Sequence, residues 1–284
     1  NLSQTEPFSV VSSAARNNVM SIGEQSVPLD PDKDVLINVN AQGAAVPSAR
    51  FMGGREHDLA KGGPYREATE TAMAEVLAKG IMLTPAVVPE TGPNRGCASR
   101  WVGPEPRIGS AERGVAVAFY LALVTRRCLE LVGHRGSIIV EGPFAKNSVY
   151  LQMLSAATGC YVAPMVSATG TSQGAALLVS GSVISQNAAG SSLVSQKPET
   201  DRWAEFASQW AEICCSQIRS FRSHGQISER DGWGENVDFV TLSFSALDCL
   251  QNDPGGRLAD LAAGGAGRGD LSGEPIKEAQ PVEP

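Results

Sequence analysis

The sequence predicts an α/β fold, a mixed β-sheet flanked by helices, and three observations lead to it. Gly136 to Gly142 sets Ile138, Ile139 and Val140 in a row between glycines, the signature of a buried strand. A glycine-bearing turn and a run of helical spacing follow, and the same succession then repeats as far as Gly181. At the other end of the chain, three strand-like runs come before any helix.

Taken in order, Phe8 to Ser12 reads as the first strand, Asn18 to Ile22, closed by Gly23, as the second, and Asp34 to Asn40 as the third. Ala45 to Met52 is a further extended piece. Gly53 to Gly109 reads as an irregular, helix-bearing insertion; Tyr65 to Lys79 is helix-like, with Ala68, Ala72 and Val76 on one side, and Thr84 to Arg107 is rich in Pro and Gly. Ser110 to Val132 carries the strongest helical signal, Val115, Phe119, Ala122, Leu123, Leu129 and Val132 recurring at three and four. Ser110 is its expected cap and Gly133 its end. After the Gly136 strand, Lys146 to Gly159 predicts a helix stopped by Gly159, Cys160 to Met165 a strand, and Ala168 to Leu178 a polar turn opening an Ala/Leu helix. The expected sheet has five strands, three first and two alternating with helices. Ser182 to Thr200 is polar, and Trp203, Phe206, Trp210 and Ile213 mark one more amphipathic helix. The reading divides the chain into a lobe, residues 1–215, and an unassigned tail, 216–284, with the composition of disorder or of out-of-frame translation. Mobility is expected beyond about Gly225.

Two strands that each end in a glycine turn and feed a helix bring unpaired N–H groups and positive dipole ends together, an arrangement that suits a nucleotide. Gly142, Gly170 and Gly174 would let a flat adenine slide between two backbones. No G-x-G-x-x-G follows the first strand, which disfavours a dinucleotide fold. A formal charge of −7 and an isoelectric point near 5.1 argue against nucleic acid or an anionic membrane as partner. The sequence has no apolar signal segment and no spanning run, so a cytoplasmic location is expected. Six scattered cysteines predict free thiols, and His57, His134 and His224 share no ligand spacing and are expected at the surface or in turns.

Val140-Glu-Gly-Pro-Phe-Ala-Lys-Asn147, then Gln152, then Ala168-Thr-Gly-Thr-Ser-Gln-Gly-Ala-Ala176 resembles the adenosine-binding region of FGGY carbohydrate kinases. The resemblance covers about Pro7 to Ile213. It implies the C-terminal lobe of a ribonuclease H-like ATPase, the fold that also holds hexokinase and actin, and three opening strands suit it. It further implies ATP and magnesium, a sugar substrate, and nucleotide contacts at Ser13, Gly142, Pro143, Lys146, Asn147, Gly170, Thr171, Gln173 and Gly174. Phe51 to Glu56 resembles a signature of the fuculose- and rhamnulose-kinase branch; Arg55 and Glu56 could bond a polyol or pair with each other. At the first turn the family usually carries Gly-Thr. Here Ser12-Ser-Ala-Ala-Arg-Asn17 stands instead, which puts phosphate contact in doubt there, with Arg16 as a compensating charge or a solvated side chain.

No Asp-x-Gly-Thr phosphate turn of the facing lobe is found, and the family's catalytic aspartate is expected upstream of Asn1. The expectation is therefore a C-terminal half that lacks its N-terminal lobe and is inactive alone, because general-base help is typically worth ~10²–10⁴-fold. A non-catalytic relic lobe that binds a protein partner is the alternative, and a homodimer is left open. Millimolar binding, about equal for ATP and adenosine, is expected of the first reading.

Overall fold

The structure is a computed structural model, and it describes residues 7–23, 27, 29–40, 43–64, 66–165 and 201–223. The strands are β1 (Phe8–Ser12), β2 (Asn17–Ile22), β3 (Val35–Val39), β4 (Ala45–Phe51), β5 (Met82–Leu83), β6 (Trp101–Val102), β7 (Ser137–Glu141) and β8 (Val162–Met165). The helices are α1 (Gly53–Lys61), α2 (Glu70–Ala78), α3 (Ala111–Leu131), α4 (Ser148–Thr158) and α5 (Asp201–Ser223). The main sheet runs β3-β4-β2-β1-β7-β8. Its first four strands pair antiparallel, while β1, β7 and β8 pair parallel.

The sheet thus has six strands among the described residues, against the five expected. The difference is β4. Pro47 weakens its strand signal by removing a backbone donor, but the β2 ladder reaches only from Phe51 to Ser48, so the proline lies beyond it. The insertion is also more regular than expected. It opens directly with α1, and β5 pairs with β6 as a separate ribbon. Helix α2 starts at Glu70 rather than Tyr65, because Thr69 Oγ1 accepts from Ala72 N at 3.1 Å and caps it there. The last helix crosses the expected lobe boundary and runs to Ser223.

Other local signals act as read. Ser110 Oγ accepts from Arg113 N at 3.2 Å at the start of α3, and Gly159, in the left-handed region, ends α4. Alternation divides the strands: Val11, Val19, Ala49, Ile138 and Val140 join one large core with all five described helices, while Val10, Met20 and Val46 form a small cluster of their own. Helix α3 is the core's axis, buried almost all round from Arg113 to Thr125. The guanidinium of Arg113 is buried too. It donates to Ala60 O (2.9 Å), Pro106 O (2.8 Å) and Glu105 Oε1 (2.9 Å), and stacks over Trp101. Helix α5 docks through Phe206, Ala207, Trp210 and Cys214. Trp203 and Phe206 flank the Phe119 ring, and the Trp210 indole donates to Leu83 O at 2.7 Å.

Candidate active-site cleft

The parallel neighbours β1 and β7 finish side by side, Ser12 opposite Glu141, so the turns after them are forced together. Ser13 fastens the two. Its N–H donates to Glu141 O at 3.0 Å, its hydroxyl donates to the same carbonyl, and its Oγ accepts from Phe144 N at 3.0 Å. Gly142 has φ +82°, and a Cβ there would lie 2.0 Å from Ser13 O, so only glycine fits. A 3-10 turn, Pro143–Lys146, follows; Asn147 Oδ1 then accepts from Tyr150 N at 3.1 Å and starts α4.

Helix α1 comes in from the other side. Gly54 N donates to Ala14 O at 3.1 Å and Arg55 N to Ala15 O at 3.4 Å, so the first turn of α1 rests on the β1–β2 turn. Gly53 and Gly54 make this approach possible: a Cβ on either would lie 2.5 Å from the Asn17 side chain or from Ala14 O. The Ala14-Ala15-Arg16 turn is built without positive φ, Asp34 being the one described non-glycine residue in that region. Its alanines are therefore tolerated.

Between these parts lies a cleft of about 990 Å³. Ala14, Ala15, Gly54 and Arg55 line one side, and Pro143, Lys146, Asn147 and Ser148 the other; Phe144, Val149, Gly114 and Ala118 form an apolar floor. Gly114 and Ala118, one turn apart on α3, bring small residues to this floor. Arg55 and Lys146 are exposed cations with no ion-pair or side-chain hydrogen-bond partner among the described residues. Asp58 and Glu67 also line the cleft. Asp58 lies 3.0 Å from Lys61 Nζ and 3.2 Å from His57 Nδ1, and these hydrogen bonds hold its carboxyl below the usual range.

Of the nucleotide contacts expected from the sequence, Pro143, Lys146 and Asn147 line the cleft together, and Gly142 and Ser13 form the clasp behind them. The Ser13 hydroxyl is engaged on both sides, donating to Glu141 O and accepting from Phe144 N, and Ser13 is not among the residues that line the cleft. Gly170, Thr171, Gln173 and Gly174 lie outside the described residues, as does the helix expected after them.

Two expectations fail. Arg55 and Glu56 form no ion pair: Arg55 lines the cleft, while Glu56 is only 2% exposed and accepts from the Tyr120 hydroxyl at 2.7 Å. Burial pushes the Glu56 carboxyl up to about 7. The signal was present, since Gly53, Glu56 and Ala60 form the buried stripe of α1 at helical spacing, but a glutamate on it reads as surface. Nor is His57 at the surface or in a turn: it is half-buried in α1 on the cleft wall, its ring centroid 6.2 Å from that of Phe144. His134 does lie in the turn before β7, where it bonds Ser9 of β1 and Cys160, just before β8; desolvation lowers the pKa of both histidines, and His224 lies outside the described residues.

Residues 5–188 match the family model described as the C-terminal domain of carbohydrate kinase FGGY. The chain belongs to the FGGY carbohydrate kinases. A carbohydrate kinase from Novosphingobium aromaticivorans shares 29% identity at a TM-score of 0.53, over 63% of this chain and 41% of that one. A xylulose kinase from Rhodospirillum rubrum, 12% identical, superposes at 0.51 over 76% of this chain and 48% of its own, a likeness of fold alone. No curated protein matches. The chain spans 41% and 48% of the length of these two kinases.

Proposed function

We propose that this chain forms the nucleotide-side lobe of a carbohydrate kinase in which the γ-phosphoryl group of ATP passes to a sugar hydroxyl. The observation that carries the reading is the cleft at the ends of β1 and β7, which joins an apolar floor to two cations that have no ion-pair partner among the described residues. Phe144, Val149 and the small surface of Gly114 and Ala118 suit a flat apolar ring, and the Pro143–Asn147 turn would wall it. Lys146 and Arg55 suit phosphate oxygens. Family resemblance assigns the opposite wall to Gly170–Gly174.

ATP supplies the transferable phosphoryl group; the chain's part is to hold and orient it. Asn147, locked as a helix cap, cannot turn, and the Ser13–Gly142 clasp keeps the walls at fixed spacing. Among the described residues no cluster of three or more His, Cys, Asp or Glu side chains is arranged for a metal, so magnesium enters this reading as the counter-ion of the triphosphate. Family resemblance assigns the base that takes the sugar proton to a facing lobe; of the two carboxylates that line the cleft here, Asp58 is bound to Lys61 and His57. These 284 residues alone are therefore expected to bind nucleotide without phosphorylating sugar.

Exposed ion pairs add at most about 1 kcal/mol each, and association costs at least several, so ATP should bind in the millimolar range and only a few-fold tighter than adenosine. Titration of isotope-labelled protein followed by NMR tests this. Shifts centred on Ala14, Gly54, Lys146 and Asn147 support the reading. Micromolar, magnesium-dependent ATP binding would show a phosphate site more complete than proposed. No shift at all would favour a lobe that has kept the fold and lost the ligand, leaving protein interaction as its use.

A further inference from the structure

At the end of the sheet away from the cleft, three side chains from distant parts of the chain meet. His134, just before β7, sits between Ser9 of β1 and Cys160, just before β8. Its Nδ1 is 2.7 Å from Ser9 Oγ and its Nε2 is 3.4 Å from Cys160 Sγ. Ser9 is fully buried, which fixes the imidazole from behind, whereas Cys160 is only partly buried. A thiol beside an imidazole that a third group orients is the arrangement that makes a nucleophile. The other described thiols lack it. Cys97, Cys128 and Cys214 are buried, and Cys215 is exposed with no histidine partner among the described residues.

We propose that Cys160 is a modification site, a thiol that His134 activates toward mixed-disulfide formation with small anionic disulfides. An open cleft of about 450 Å³, lined by His134, Arg126, Glu130, Arg135 and Thr158, adjoins it. Arg126 and Glu130 are paired at 3.0 Å, which leaves the exposed Arg135 as the net charge, so carboxylate-bearing disulfides are preferred to cationic ones. In the reaction His134 Nε2 takes the Cys160 proton, and the sulfur attacks one sulfur of the disulfide. A new Sγ–S bond forms as the old S–S bond breaks; the leaving thiolate takes the proton from His134 and departs as a thiol. Cys160 is oxidised, and half of the reagent is reduced. The competing partner of Cys160 Sγ, the Thr158 carbonyl at 3.4 Å, accepts only from the neutral thiol and is lost on ionisation, whereas a protonated Nε2 can donate to the thiolate.

The test uses the full chain with Cys215 and Cys249 replaced by serine in one arm and intact in the other, exposed to oxidised glutathione or to cystamine at pH 7.5. Intact mass and peptide mapping follow the adducts. Expected results are that Cys160 reacts before Cys215 in the unaltered chain, and that His134→Gln slows Cys160 about tenfold. Arg135→Glu should slow oxidised glutathione more than cystamine. Cys160 reacting no faster than Cys215 would overturn the proposal, as would an unchanged rate in a folded His134→Gln protein. If that variant unfolds, the order of reaction in the unaltered chain decides the matter. Equal loss of both reagents on Arg135→Glu would overturn the anionic preference.

Discussion

Tyr120, halfway along α3, donates a 2.7 Å hydrogen bond to Glu56 in the first turn of α1, and both side chains are cut off from water. Tyr120 Oη also accepts from Val87 N at 3.3 Å, so one buried hydroxyl ties α1, α3 and the segment after β5 together. The cleft wall formed by Gly54 and Arg55 therefore rests on this pair. Glu56 titrates near 7 in the folded protein against 4.5 for an ordinary glutamate. Its folded value is raised, so its contribution is full below pH 4.5 and is lost as the pH rises through 7. That gap is worth about 3 kcal/mol. Glu56→Gln should flatten the dependence: relative to the unaltered protein, the variant gains stability between pH 4 and pH 8. Urea unfolding at several pH values measures this, and a constant difference between the two proteins would refute it.

The clasp behind the cleft gives a second expectation. Ser13→Ala leaves the buried Phe144 N–H without its acceptor, which costs about 1–3 kcal/mol. Gly142→Ala should cost more, because the methyl meets backbone rather than a movable side chain. Thermal melts of both variants would establish the order, and the reverse order would contradict the geometry.

Docking of α5 rests on two aromatic anchors. Phe206→Ala should destabilise by about 3–5 kcal/mol through lost contact with Phe119 and the cavity left behind. Trp210→Phe should cost about 1–3 kcal/mol by orphaning the Leu83 carbonyl. Chemical denaturation, with amide exchange of residues 201–216 as the local probe, separates loss of the helix from loss of the whole fold.

Charge reversal at the cleft should act on phosphate and not on the ring. In Lys146→Glu combined with Arg55→Glu, ATP affinity should drop about tenfold or more while adenosine affinity stays within about twofold. Calorimetry or NMR titration reads both. Equal losses would mean that the two side chains support the wall rather than the phosphates.

Much of this was legible in the sequence, for physical reasons. Ser110 and Gly159 act on their own turns, and the Ile138–Val140 run declares a buried strand without reference to anything distant. The turn Pro143–Asn147 was singled out by its family resemblance, and it lines the cleft. Legibility ended where a residue's setting is decided by a partner far along the chain. Glu56 is buried because Tyr120 meets it, and His134 is held because Ser9 does; neither partner could be seen in the local pattern. Gly53 and Gly54 suggested irregular chain, since two glycines weaken a helix, yet they begin one because Asn17 and Ala14 leave no room for side chains.

The place of β1 has a consequence for how the molecule is made. One edge of β1 is covered early by β2, but the other waits for β7, with Val11 pairing to Val140 across most of the lobe. While the chain is being synthesised, strands β1 to β4 can assemble in the order β1-β2-β4-β3, with β1, which carries Phe8, Val10 and Val11, at an open edge. That edge stays available to other chains until Glu141 has emerged. Closing so long a loop is slow, so folding should be limited by this one parallel pairing, and nascent chains halted before Ser137 should be those that aggregate.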